Sequence, residues 1–249
     1  MAGSSRRGHD GEVEGSGPAV KPPPRVRRRL PGIKTLKLEQ FESRLLDGTP
    51  VLVRPIRPED RQLLIAGFQR LSPESRYARF MAPLAELSEA QIRYLTEIDY
   101  FDHFAWAALR ADGAGEGIGV ARYVRLEAEP TVAEAAITVL DEYQGNGLGT
   151  LLLALLATAA RAASVSHFRA YVLEENAPMR ELLEALGARA VHDSPGVLKL
   201  DVPLDPQLLP DSPAARVLKS VAARLMTLTG PPPHWIEPPV PGGPSDGGG

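Results

Sequence analysis

The sequence predicts an α/β fold of the α+β kind: a mixed, mostly antiparallel central sheet flanked by helices, set between disordered tails. Three observations carry this. The stretches His103–Arg110, Gly117–Leu126 and Val132–Leu140 read as strands joined by short loops, which makes them an antiparallel meander. Immediately after them stands Gln144-Gly145-Asn146-Gly147-Leu148-Gly149-Thr150, a glycine-rich turn that opens a helix over Gly147–Ala163, apolar on nearly every face until Arg161. A short strand, Phe168–Leu173, then leads to a helix from Asn176 to Gly187 with a side-chain cap at its start and a glycine stop.

The remaining elements follow from local chemistry. Residues 1–33 are rich in Gly, Ser, Pro and Arg, lack periodicity and are expected to be disordered. Thr35–Phe41 and Val51–Ile56 alternate as strands around the Asp47-Gly48 turn. Pro58, Glu59 and Asp60 start a helix, proline in the first turn and acids at the positive end, with Leu63, Leu64, Gly67, Phe68 and Leu71 as its buried stripe. Ser72-Pro73-Glu74 starts a short helix that carries Arg76, Tyr77 and Phe80. Ser88 and Gln91 form a capping box, with Leu87 and Ile92 as staple, for a third helix to about Ile98. Within the Asn176 helix, Met179, Leu182, Leu183 and Leu186 make the core stripe. Ala190–His192 and Val197–Val202 form a terminal hairpin around Ser194-Pro195-Gly196. Residues 204–229 are a linker and an amphipathic helix from 213, whose apolar side is open to its own domain, a second copy, another partner or a membrane surface. Residues 230–249 hold thirteen Gly or Pro in twenty and are expected to be unpacked, although Trp235 and Ile236 could dock locally. The ordered domain is thus expected over 34–203.

Composition narrows the function classes. The chain has 249 residues and no cysteine, which excludes disulfides, thiolate-ligated metals and a cysteine nucleophile. The five histidines show no metal-ligand spacing, so no metal is expected. No run reaches the roughly 18–20 apolar residues of a membrane span, and the N-terminus lacks an apolar signal core, so the expected location is cytoplasmic. Residues 1–40 carry nine basic and four acidic residues, a surplus of five, which leaves −8 on the rest of a chain of net charge −3. The basic arm, with Arg25, Arg27, Arg28 and Arg29, suits an acidic surface or nucleic acid, or serves as a solubilising tail. The acidic body favours cationic partners weakly.

The glycine turn carries the chemistry. Bare N–H groups at a helix N-terminus lack partners within the helix and sit at the positive end of its dipole, a ready anion site. A ligand-free glycine turn would look alike, so neighbouring residues decide. No lysine follows the glycines, as a Walker loop requires, and the third glycine of a dinucleotide fingerprint would fall on Thr150. Gln144-Gly145-Asn146-Gly147-Leu148-Gly149 instead resembles Q/R-x-x-G-x-G/A, the pyrophosphate-binding motif of the GNAT superfamily of N-acetyltransferases. The element order over about 34–203 is similar to the GNAT fold as well. Arg54-Pro55-Ile56-Arg57-Pro58-Glu59-Asp60 and Leu71-Ser72-Pro73-Glu74-Ser75-Arg76-Tyr77-Ala78-Arg79-Phe80 resemble the opening of the acetyltransferase domain in bacterial protein-lysine acetyltransferases. Those enzymes often carry a nucleotide-sensing or acyl-CoA-synthetase-like domain. Nothing here is long enough for either, so such control is expected to be absent or supplied in trans.

The resemblance implies acetyl-CoA as cosubstrate. It places the CoA pyrophosphate on Gln144, Gly145, Asn146, Gly147, Leu148, Gly149 and Thr150, and the pantetheine arm beside Val139 and Leu140. A backbone N–H near Val139 would polarise the thioester carbonyl. Asn176 matches a position that contacts the CoA arm, and it also serves as a helix cap. An amine acceptor is mostly protonated at neutral pH, its pKa being near ~10.4, so a base is needed. Glu134 is the candidate, a carboxylate within a strand of Ala, Ile, Val and Thr that shares a face with Ala136 and Thr138; an edge-exposed glutamate without a role is the plain alternative. The resemblance places the base at this spacing. Many GNAT enzymes have a tyrosine seven residues after the capping Asn to protonate the leaving thiolate; here that residue is Leu183. Tyr77, Tyr100 and His103 are possible substitutes, or the thiolate leaves unprotonated. The expected function is transfer of acetyl from acetyl-CoA to a primary amine, a protein lysine first, with a small amine or a non-catalytic acyl-CoA sensor as the alternatives. A homodimer is also possible.

Overall fold

The computed structural model describes residues 40–113 and 115–229. The basic arm, the strand expected to begin at Thr35 as far as residue 39, and the Pro/Gly-rich tail with Trp235 and Ile236 lie outside the described residues. Eight strands form one sheet: β1 Phe41–Arg44, β2 Pro50–Pro55, β3 His103–Arg110, β4 Gly117–Arg125, β5 Val132–Val139, β6 His167–Leu173, β7 Arg189–Ser194 and β8 Val197–Pro203. Their order is β1-β2-β3-β4-β5-β6-β8-β7. Every pairing is antiparallel except β5 with β6, which is parallel.

Helices cover both faces. On one lies α4, Leu148–Ala162, which is buried along nearly its whole length. It packs on Phe104, Trp106, Tyr123 and Phe168, the large side chains of that face. The opposite face carries α1 Arg61–Arg70, α2 Pro73–Phe80 and α3 Glu89–Thr96. There the sheet presents small residues, Ala105 and Ala107 among them. α5, Ala177–Glu184, connects β6 to the terminal hairpin. α6, Pro213–Thr229, packs on α4, burying Ala215, Leu218, Val221 and Ala222, so its apolar side is met by its own chain.

Local signals explain the joints. Pro58–Asp60 is a single 3-10 turn ahead of α1, shorter than the continuous helix expected from Pro58. Asp60 is buried, and Arg54 clasps it through two bonds of 2.6 and 2.7 Å while the Arg57 N–H donates to it at 2.8 Å. A bidentate guanidinium–carboxylate pair plus a backbone donor is what a buried carboxylate needs. The stretch Arg54–Asp60 is therefore the fastened corner that turns β2 into α1. The Ser88–Gln91 capping box forms as read, both bonds present at 2.8 and 3.2 Å. Within the described residues, β1 runs past the expected end at Phe41 to Arg44, toward the Asp47-Gly48 turn. Leu45 N–H reaches Thr49 O, and the Asp47 carboxylate accepts from Thr49 N–H at 2.9 Å, so pairing runs up to the turn itself.

Candidate active site

The sheet opens beside β5. Val132, Ala133 and Glu134 pair with His167, Phe168 and Arg169, and the pairing ends there. Beyond that point β6 stays with β8, while β5 stays with β4. The phase of the β4–β5 ladder is set by Leu140 N–H, which donates to Ile118 O at 3.0 Å. In an antiparallel ladder, alternate residues turn their polar groups to the same side. Thr138 and Ala136 thus bond toward β4. Val139, Ile137 and Ala135 turn theirs toward the gap, where no strand of the described residues pairs with them. Gln144 Nε2 donates to Val139 O at 3.1 Å, which leaves the Val139 N–H as the group directed into the opening. Leu140 is different: its N–H is spent inside the sheet and its side chain is buried.

The glycine turn closes one end of this gap. Gly145 and Gly147 have φ of +75° and +83°, conformations that side chains rarely adopt. They swing the chain out of the short 3-10 turn Asp141–Tyr143 and into α4 with Gly147 as N-cap. Among the described residues, no hydrogen bond engages the backbone N–H groups of Gly145 through Thr150; the first bonded one is Leu151, to Gly147 O at 3.0 Å. A Cβ built on Gly145 or Gly149 meets nothing within 4 Å. Unpaired donors, the positive end of a fifteen-residue helix and open space together fit a diphosphate.

A model of the acetyltransferase (GNAT) domain matches residues 51–189, more than half of the chain. The chain belongs to the GNAT acetyltransferase family. It is 38% identical over 155 residues to acetyltransferase Pat of Mycolicibacterium smegmatis, covering 62% of this chain and 46% of that protein. It is 37% identical over 150 residues to acetyltransferase PA5475 of Pseudomonas aeruginosa, covering 60% of this chain and 80% of that protein. The chain thus spans less than half the length of Pat but most of PA5475. Among solved structures, the GNAT domain of S. lividans PAT superposes with a TM-score of 0.62 at 32% identity, over 66% of this chain and 96% of that one. These likenesses mark an acyltransferase enzyme.

In this GNAT fold Glu134 sits half-buried at the point where the strands part. Ala136 and Thr138, two and four residues along the same face, line a cavity under α1–α3, while Ala135, Ile137 and Val139 pack toward α4. The residues around Glu134 were not read as a group from sequence. Arg79 of α2, Tyr94 of α3 and Tyr171 of β6 all feel its charge. Arg122 of β4 is buried, donating to Leu95 O and standing 3.0 Å from His103 Nε2; burial, then Arg79, lowers its pKa to about 9. His103 packs its ring on Tyr94 at 4.9 Å. Burial, then the cations Arg122 and Arg79, drives its pKa down to about 3. The long spacing between α2, α3 and β4 in sequence hides this cluster.

A second group was missed beside the turn. Asp141 accepts from Ser72 N–H and Ser72 Oγ at 3.0 Å and from Ser75 Oγ at 2.7 Å. Burial opposes ionisation, but the Ser75 and Ser72 bonds hold its carboxyl below the usual range. Gln144 Nε2 lies 3.4 Å from Ser75 Oγ. Asp141 therefore fastens the N-terminus of α2 to the same Gln144 that holds Val139 O. The Ser-Pro-Glu-Ser run was the available signal; its partner sixty-six residues on was not.

Asn176 caps α5, its Oδ1 accepting from Met179 N–H at 3.2 Å. Leu183, seven residues on, is buried in the core. Of the hydroxyl and imidazole substitutes considered, Tyr100 donates to Ile56 O at 3.1 Å, His103 lies in the Arg122 cluster, and Tyr77 is exposed on α2. Tyr171 shares the sheet face of Arg169 and Glu134. Burial, followed by Asp193 and Glu134, keeps its hydroxyl protonated to higher pH than usual.

Proposed function

We propose that the protein transfers the acetyl group of acetyl-CoA to a primary amine, a protein lysine first, by direct attack without a covalent enzyme intermediate. One observation carries this reading. The unpaired N–H groups of Gly145–Thr150 and the gap-facing N–H of Val139 lie at one end of an opening whose other end is Glu134. Acetyl-CoA supplies the activated thioester. The turn residues hold the diphosphate, Gln144 orients the strand end through Val139 O, and the outer residues of β5 run beside the pantetheine. Leu140 contributes by its buried side chain, and Asn176 keeps the start of α5 in place next to the arm.

Glu134 takes the proton from the incoming ammonium, so that the nitrogen lone pair attacks the thioester carbon. As the C–N bond forms, Val139 N–H donates to the carbonyl oxygen on which negative charge develops. The C–S bond then breaks, the sulfur leaves as thiolate, and the second nitrogen proton, shed as the amide forms, passes to that thiolate or to water. A thiol pKa near ~8.5 makes that departure tolerable without a dedicated acid. The preference for lysine rests on the resemblance of Arg54–Asp60 and Leu71–Phe80 to the lysine acetyltransferase branch, and residues of both stretches line the cavity that Ala136 and Thr138 border.

The test is release of free thiol from acetyl-CoA with a panel of small amines and lysine-containing proteins, followed by mass spectrometry of the acceptor. The protein contributes no thiol background because it has no cysteine. Amine-dependent release with a +42 mass on lysine is expected. Binding of CoA without release for any acceptor would replace this reading with a sensor.

A further inference from the structure

Between the sheet and α1–α3 lies a cavity of about 80 Å³. One water needs roughly 10–15 Å³ on this scale, so the space suits several waters or a chain of a few carbons. Leu63, Phe68 and Leu109 are among its walls, which offer water few hydrogen bonds. It reaches β5 at Ala136 and Thr138, and Arg79 and Arg122 border it.

Small residues line the cavity, and two of them are glycines at positions where alanine would also fit. Gly67 lies inside α1, where glycine is unfavourable relative to alanine. Its φ is ordinary, and an added Cβ would come no closer than 3.9 Å to anything, the nearest atom being Gly117 O. Gly117 has the same property, with Leu63 O at 3.7 Å. Neither backbone strain nor close packing calls for glycine at these sites. Glycine at both positions leaves out only a methyl on each side of the α1–β4 contact, at the border of the cavity that reaches Ala136 and Thr138.

We propose that this cavity is an acyl-chain pocket and that the enzyme takes straight-chain acyl-CoA donors up to about butyryl. The carbons beyond the second pass over Ala136 and Thr138 and settle beneath α1. This rests on the thioester lying alongside β5. The reaction balances as for acetyl: the C–N bond forms, the C–S bond breaks, one ammonium proton goes to Glu134, and the second nitrogen proton goes to the departing thiolate or to water.

The test compares kcat/KM for acetyl-, propionyl- and butyryl-CoA with one amine acceptor, for the wild type, Gly67→Ala and Gly67→Leu. The wild type is expected to use butyryl-CoA within about tenfold of acetyl-CoA. Gly67→Leu, which fills the roof at a position an acetyl group does not reach, is expected to lower butyryl transfer at least tenfold more than acetyl transfer. A larger wild-type drop for butyryl, or an equal loss for all donors in Gly67→Leu, overturns the pocket. If Gly67→Leu does not fold, titration calorimetry on the wild type decides: butyryl-CoA bound within threefold of acetyl-CoA, with a more negative heat-capacity change, supports it, and weaker binding overturns it. No transfer from any donor would refute the acyl-transfer reading itself, a result distinct from acetyl transfer alone.

Discussion

Glu134 of β5 pairs with Arg169 of β6, and it is the last β5 residue to pair with that strand. The single carboxylate of β5 therefore stands where the sheet stops being continuous. Arg169 is held on its far side by Asp201, at 2.8 and 3.1 Å, and by Glu129. With its guanidinium so occupied, Arg169 fixes the closed end of the gap. Glu134 marks the start of the open one.

Two glycines of the turn, Gly147 and Gly149, are expected to differ in what they tolerate. Gly147→Ala forces a side chain into φ +83° and costs about 1–2 kcal/mol of stability. Gly149 sits in the first turn of α4 with open space around its would-be Cβ. Gly149→Ala is expected to leave stability equal or higher by less than ~1 kcal/mol, with acetyl-CoA affinity within threefold. Gly149→Leu is expected to fold as well as wild type yet lose at least tenfold in acetyl-CoA affinity. Denaturation midpoints and calorimetric titration of the three variants check this. Parallel losses of stability and affinity in Gly149→Leu would show that the space is structural.

Asp141 acts through other groups, and its loss should separate binding from chemistry. Asp141→Ala frees Ser72, Ser75 and Gln144 without touching Glu134. A loss on the order of 1 kcal/mol in ground-state and transition-state binding alike raises the KM for acetyl-CoA about five- to tenfold and leaves kcat within twofold. Steady-state kinetics at saturating acceptor measures the split. A fall in kcat at unchanged KM would contradict the positioning role.

His103 makes stability pH-dependent in a window of its own. Its folded pKa is about 3, set by burial and by Arg122 and Arg79, against 6.5 for the free side chain. The folded value is the lower one, so the unfolded chain binds the extra proton. The favourable term is therefore fully present above about pH 6.5 and is lost as pH falls from there toward 3. Between pH 7 and 5 the loss is about 2 kcal/mol. The depressed carboxyls of Asp60 and Asp141 weaken the fold only at lower pH, toward and below their ordinary value of 3.8. Urea denaturation at pH 7 and 5 is expected to show the drop in wild type and a much smaller one in His103→Phe. Equal drops in both proteins would remove His103 as the cause.

Much of this was legible because local chemistry fixed it. The meander, the cap at Asn176, the Ser88–Gln91 box and the start of α6 at Pro213 each follow from a few adjacent residues, and the structure has them. The alternation that sets Glu134 with Ala136 and Thr138 is likewise a property of one strand. What was not legible depends on pairing across distance. The Asp141–Ser75 bond, the Arg122–His103 contact and the packing of α6 on α4 join segments many residues apart, and no local pattern names their partners. The cavity beside Gly67 was not legible for a related reason. Gly67 reads, from its position in the α1 stripe, as packed against the sheet, and it is, but nothing within α1 shows that it meets Gly117 of β4 and that both border a cavity.

The most direct measurement of the central claim is a paired one on Glu134→Gln: acetyl-CoA affinity by calorimetry and amine-dependent thiol release in the same preparation. The substitution keeps the shape of the side chain and removes its capacity to take a proton. The expected result is affinity within threefold of wild type and turnover reduced about a hundred- to ten-thousand-fold, the range a general base supplies. Turnover equal to wild type would contradict Glu134 as the base and, with it, the assignment of the gap beside β5 as the place where the amine is acylated.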